Sequence, residues 1–169
     1  MTINVSTILK EIGGRINVDG NVQLADTDFL GELYHFEEPI KVKGHISNTG
    51  KCLILSATCA GVMSTQCARC TKTINVPIEF EMDESLVQNN DDNSYDEDVV
   101  VFEGFEIDID DMVADNFLMN VEGRYLCSED CKGLCPQCGA DLNVEECGCN
   151  NENIDPRWST LIDIMNKDK

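Results

Sequence analysis

Apolar and polar residues alternate through most of the first two thirds of the chain, and a helical period replaces that alternation only after residue 108. Ile16, Val18 and Val22 predict one strand. Ile40-x-Val42-x-Gly44-x-Ile46 predicts a second, and Asn48-Thr49-Gly50 reads as a hairpin turn after it. From Cys52 to Met63, Leu53, Leu55, Ala57 and Cys59 oppose Ile54, Ser56, Thr58 and Ala60, the pattern of a long central strand. Ile74, Val76, Ile78, Phe80 and Met82 interleave with Glu79 and Glu81, which predicts a strand with one buried and one acidic face. Ahead of these strands, Ser6 caps a short helix from Thr7 to Ile12 that Gly13-Gly14 ends. Structure resumes at Val99 to Phe102, and Ile109, Met112, Val113, Asn116, Phe117 and Asn120 follow helical spacing behind a cap at Asp108. Asp155-Pro156 opens a last short helix with Trp158, Leu161, Ile162 and Met165 along one face.

These elements make an α+β protein: an antiparallel β-domain of barrel-like type, joined to a helical segment and a cysteine-rich zinc-binding module. The expected boundaries are a β-rich domain over 1–87 with a Cys-x2-Cys knuckle, and an acidic linker or disordered loop over 88–98. A strand and helix over 99–126 pack on the β-domain, and the zinc module with its C-terminal helix fills 127–169. At 169 residues and 42% hydrophobic content the chain can build a sizeable core. Its start carries no basic stretch followed by an apolar run, and no window approaches a membrane span, so a cytoplasmic location with reduced thiols is expected.

The net charge of −20 is unevenly spread: residues 73–123 hold sixteen acidic residues and no basic one. Such a stretch repels phosphate, and counterion release would not operate there, which points away from bulk nucleic-acid binding and towards basic protein partners.

Ten cysteines change the picture most. Cys127, Cys131, Cys135, Cys138, Cys147 and Cys149 fall within twenty-three residues, and Cys67 and Cys70 form a further pair in the connection between two strands. Thiolates two or three residues apart converge on one ion as the backbone turns, and Cys135-Pro136-Gln137-Cys138-Gly139 supplies the proline and glycine for such a turn. The four local pairs can combine into two tetrahedral zinc sites in three ways. The preferred one joins Cys135, Cys138, Cys147 and Cys149 through a short loop, leaving Cys67, Cys70, Cys127 and Cys131 as a long-range site. Cys52 and Cys59 lie within strand patterns and read as unligated. A rubredoxin-like iron site also uses Cys-Pro-x-Cys-Gly, but a single tetrad leaves the other pairs unexplained. The Cys-x2-Cys-x2-Cys-x3-Cys-Pro run of a four-iron cluster is absent.

Catalytic motifs are not found. His35 and His45 are not at ligand spacing, the carboxylates form runs of surface type, and no phosphate loop, nucleophile elbow or zinc-protease motif occurs. A non-enzyme with no small-molecule substrate and no membrane association is expected.

The string from Cys127-Ser128-Glu129-Asp130-Cys131 through Leu134-Cys135-Pro136-Gln137-Cys138-Gly139, with Cys147-x-Cys149, Asp155-Pro156-Arg157-Trp158 and the Cys67-Ala68-Arg69-Cys70 knuckle, resembles the YceD family. That resemblance implies a bacterial protein needed for accumulation of 23S ribosomal RNA, acting in large-subunit assembly without known catalysis. A ribosomal protein or pre-50S particle is the implied partner. Val121-Glu122-Gly123-Arg124 departs from the family pattern in lacking a proline before the cluster, which leaves the approach angle of the cluster open. Direct RNA contact would fall to Lys41, Lys43, Lys51, Arg69 and Lys72, around the hairpin and knuckle. Trp158, Leu161 and Met165 form a candidate partner-binding face. The rival readings are a zinc-stabilised adaptor or acidic chaperone for a basic partner outside the ribosome pathway, and third an iron electron carrier.

Overall fold

The long alternating runs become the strands of one open sheet. A computed structural model describes residues 1–89 and 99–149. In chain order the elements are β1 (Thr2–Asn4), β2 (Arg15–Val22), β3 (Thr27–Phe29), β4 (Glu32–Tyr34), β5 (Ile40–Asn48), β6 (Leu53–Gln66), β7 (Thr73–Gln88), β8 (Val100–Phe102), β9 (Glu106–Asp108) and α1 (Asp110–Asn120). The main sheet has the order β2-β5-β6-β7-β8, while β1 pairs with β9 and β3 with β4 in two small ribbons. The acidic segment from residue 90 onward to 98, and Trp158, Leu161 and Met165, lie outside the described residues. Among the described residues no helix is long and apolar enough to cross a membrane.

Alternation fixes the faces. Along β6 the residues from Leu53 to Ala60 are buried and half-buried in strict turn, and its register with β7 runs unbroken from Leu53 opposite Leu86 to Gln66 opposite Thr73. Ile46, Leu55, Cys59, Met82 and Leu86 are buried on the inner face, and α1 covers part of it through Met112, Val113, Asn116 and Phe117. The Phe117 ring meets Tyr34 and Phe36 edge-on, with centroids 5.7 Å and 5.0 Å apart. Glu84 also points inward, opposite Leu55, and the Asn116 side-chain amide donates to it at 2.6 Å. Without that donor a half-buried carboxylate would sit against apolar neighbours at a cost.

Several expectations need correction. The sheet is not a closed barrel, because β2 and β7–β8 end as separate edges. Nor is it wholly antiparallel, since β8 runs parallel to β7 at Leu86–Gln88. Thr7–Ile12 forms turns, not an α-helix. The Asn48 side chain donates to the Ile8 and Leu9 carbonyls at 2.6 and 3.2 Å, taking acceptors that a helix would need for its own ladder. Ser6 does not cap it, since its hydroxyl donates to Asn4 instead. At α1 the N-cap is Ile109, although the Asp108 carboxylate still accepts from the Asp110 amide at 3.1 Å. Asn120 is exposed, so the buried stripe stops at Phe117. On β7 the predicted buried face is only half-buried at Ile74, Val76 and Ile78.

Candidate metal centre

The turn between β6 and β7 presents the first pair of thiols. The Cys67 amide donates to the Lys72 carbonyl at 2.8 Å and the Thr71 amide to the Cys67 carbonyl at 2.9 Å, with Thr71 at φ 57°. This tight turn aims Cys67 and Cys70 to one side. The chain after α1 is tied to the same turn: the Ala68 amide donates to the Tyr125 carbonyl at 2.9 Å, two residues before Cys127. That bond sets the approach of the cysteine cluster, which the missing proline had left open.

Four sulfurs meet there. Those of Cys67, Cys70, Cys127 and Cys131 all lie within 4.8 Å of one another. The Cys67–Cys131 sulfurs are 3.8 Å apart and the Cys70–Cys127 sulfurs 3.6 Å. A tetrahedron with metal–sulfur bonds of about 2.3 Å has edges of about 3.8 Å, so the spacing fits one tetrahedral ion. It is far too long for disulfides, whose S–S distance is about 2.05 Å. Cys67, Cys70 and Cys131 are buried and Cys127 is exposed.

A second group follows within twenty residues. Cys135, Cys138, Cys147 and Cys149 also bring their sulfurs within 4.8 Å of one another. The Cys135 amide donates to the Ala140 carbonyl at 2.8 Å and the Gly139 amide to the Cys135 carbonyl at 2.9 Å, with Gly139 at φ 75°. Cys135 is buried, Cys147 and Cys149 half-buried and Cys138 exposed. Each group can hold one metal ion, and together they use all eight cysteines of the four local pairs in the grouping that short loop closure favours.

Thiol electrostatics show why these clusters call for a cation. Burial opposes ionisation of Cys67, but hydrogen bonds from the backbone at Cys70, Arg69 and Cys127 outweigh it and bring the thiol down to about 6. The backbone at Lys72 favours the Cys70 thiolate, yet burial and the sulfurs of Cys67, Cys127 and Cys131 push it up to about 12. The second group repeats the split. Backbone bonds from Cys138 and Gln137, with the Cys147 thiol, lower Cys135 to about 6, while the neighbouring Cys138 sulfur, burial and Cys135 raise Cys149 to about 12. One thiolate forms readily in each group and the last resists, because negative charge accumulates at one point; a dication at the centre would remove that obstacle.

The two groups are joined by residues that spacing rules do not reveal. The Asn143 side-chain amide approaches the Cys131 sulfur at 3.5 Å, and its carbonyl oxygen accepts from the Lys132 amide at 2.7 Å. The Arg69 guanidinium donates to the Cys131 and Glu129 carbonyls at 2.8 and 3.3 Å. Gly133 sits at φ 74°, and a Cβ there would lie 3.0 Å from the Arg69 carbonyl oxygen, so this crossing requires glycine. Cys52 and Cys59 belong to neither group; Cys59 is sealed in the core, where burial pushes its thiol up to about 11.

The basic residues do not form one patch. Lys51 precedes β6 and Arg69 follows it, so the fourteen-residue strand separates them by roughly 45 Å. Lys41 and Lys43 project from the outer face of β5, Lys72 lies in the knuckle, and Arg69 is engaged within the metal centre. His35 pairs with Asp26 at 2.6 Å on the surface, and His45 contacts Arg15.

Comparison with known proteins bears on the same residues. The profile described as "Large ribosomal RNA subunit accumulation protein YceD" matches residues 55–165, a span containing all eight clustered cysteines. The protein YlbN of Bacillus subtilis is 28% identical over 151 residues, covering 89% of this chain and 88% of that protein. Rv2926c of Mycobacterium tuberculosis is 26% identical over 123 residues, covering 71% of this chain and 59% of its own. A chloroplast protein of Arabidopsis thaliana, described as large ribosomal RNA subunit accumulation protein YCED homolog 1, is 36% identical over 56 residues, 33% of this chain and 17% of its own. No solved structure matches the chain. Most of β6, all of β7, the knuckle and the clustered thiols thus fall within one matched span, and the chain belongs to the YceD family.

Proposed function

We propose that this protein is a non-catalytic, zinc-stabilised factor that supports 23S ribosomal RNA accumulation and large-subunit assembly in the cytoplasm. The observation that carries the reading is the family match, which spans both groups of four cysteines. The family is a ribosome-related one by its description. A d10 ion with four thiolates has no open position for substrate, so zinc here would supply cohesion, on the order of 10 kcal/mol or more per structural site, and not chemistry. Cys67 and Cys70 would share one ion with Cys127 and Cys131, clipping the tail of the chain to the β6–β7 turn. Cys135, Cys138, Cys147 and Cys149 would hold the second.

Acidic character favours a protein-facing contact. With residues 73–123 bare of positive charge, a basic ribosomal protein is a better match than RNA along that stretch. RNA contact would fall to Lys41, Lys43, Lys51 and Lys72, and to Arg69 only alongside its hydrogen bond to the Cys131 carbonyl. The adaptor or chaperone reading outside the ribosome rests on the same charge. Sucrose-gradient profiles of depleted cells separate the two: the ribosomal reading expects a fall in free large subunits and 23S RNA. Unchanged levels would overturn it in favour of the adaptor.

A further inference from the structure

The feature that neither family nor metal accounts for is the outer edge of β7. This strand pairs with β6 from Thr73 to Leu86, but β8 covers its other side only at Leu86–Gln88. Among the described residues no strand pairs with Thr73–Ser85 on that side. The Asn89 amide donates to the Phe102 carbonyl at 2.8 Å, towards β8. Backbone groups alternate sides along a strand, so the odd-numbered residues Glu79, Glu81 and Asp83 present their N–H and C=O groups to the same open side. Pro77 falls in that set too, where its missing N–H leaves the ladder to β6 intact.

Two further observations give the edge a preference. Beside it runs a groove of about 330 Å³ between β7 and the C-terminal end of α1, lined by Val76, Ile78, Phe117 and Tyr125 with Asn120 and Glu122 also in its wall. On the opposite face Glu79, Glu81 and Asp83 stand exposed at two-residue intervals. Charge and proline commonly protect an edge against pairing with another copy. An edge that is merely protected has no need of a partly apolar groove alongside.

We infer that the open edge of β7 is a strand-addition site for an extended basic segment of a partner protein, one that alternates apolar residues with lysine or arginine. Its main chain bonds Glu79, Glu81 and Asp83, its apolar side chains enter the groove, and its cations lie over the three carboxylates. The strand repeat of about 6.8 Å per two residues is the same on both sides of such a pair. By charge, the segments outside the described residues lack the run of lysine or arginine that three carboxylates favour. Residues 90–98 hold five acidic residues and no basic one, and residues 150–169 hold four acidic and three basic. This deepens the partner side of the reading above and rests on it only for the partner's ribosomal origin.

The test uses the metal-loaded full chain and a fluorescein-labelled nine-residue peptide of alternating lysine and valine, followed by anisotropy at about 150 mM salt. Two derivatives carry N-methyl groups on one or the other alternate set of residues, and only one set faces β7. One derivative should bind at least about tenfold more weakly than the other, and Glu79→Lys with Glu81→Lys should weaken the parent peptide by a similar factor. Amide exchange at Glu79, Glu81 and Asp83 should slow on binding. No binding, equal binding of both derivatives, or protection absent from those three amides would overturn the inference. Absent peptide binding alongside lost large-subunit RNA on depletion sinks this inference alone; peptide binding with normal RNA levels sinks only the ribosomal reading.

Discussion

Replacing Cys70 and Cys127 together with serine removes two of the four sulfurs in the long-range group, which lie 3.6 Å apart across 57 positions of sequence. A metal clip between them restrains the unfolded chain much as a covalent cross-link does. On the loop-entropy scale for cross-links, a loop of that length is worth about 4 kcal/mol at 25 °C. Cys138 and Cys147 close only nine positions, worth about 2.5 kcal/mol, so the long-range group is the larger tie. The double variant should therefore keep one metal ion per chain and lose at least about 4 kcal/mol in urea unfolding, the loop share alone of what the bound ion contributes. It should also become sensitive to trypsin at Arg124, because Tyr125 loses the neighbouring anchor that holds it to Ala68. Urea melts, metal analysis and timed digestion read these three effects on one preparation. Two metal ions per chain with an unchanged digest would refute the grouping. Loss of one ion with less than about 1 kcal/mol of destabilisation would refute the loop argument.

Three further substitutions probe separate parts of the account. Phe117→Ala removes the ring that meets Tyr34, Phe36 and Phe80, and should cost about 3–5 kcal/mol in urea unfolding while leaving metal content unchanged. Cys59→Ser places a hydroxyl where the thiol is fully buried; a cost of about 1–3 kcal/mol with full metal content is expected, and lost metal would show that Cys59 is a ligand after all. Asn143→Ala withdraws the amide beside the Cys131 sulfur and should weaken the first ion alone by about 10–100-fold in chelator competition.

Much of this architecture is legible in the sequence wherever a local period carries it. Leu53 to Ala60 and Phe80 to Met82 alternate cleanly, and the structure buries the residues that the alternation marks. The three-residue strands β1, β3, β4 and β9 are too short for a period to register. The β3–β4 turn is further disguised by Leu30, which adopts φ 57° where glycine or asparagine is the usual signal. Thr7–Ile12 misleads because the competing acceptor use comes from Asn48, forty positions away. Cysteine pairing shows both sides of the matter. Spacing identifies the local pairs and loop length favours one grouping, whereas the partners that steady them, Asn143, Arg69 and Tyr125, act through contacts between distant segments. Arg69 is the clearest case: charge alone makes it a candidate for RNA, and only the fold shows its guanidinium donating to the Cys131 and Glu129 carbonyls beside the first thiol group.

The central claim is that eight cysteines hold two structural ions. Metal analysis of protein purified reduced and without chelator, with zinc expressed per chain, tests it most directly. Two colourless zinc ions per chain are predicted. A single ion, a red iron-loaded protein, or metal-free protein that keeps residues 127–149 resistant to protease would contradict it.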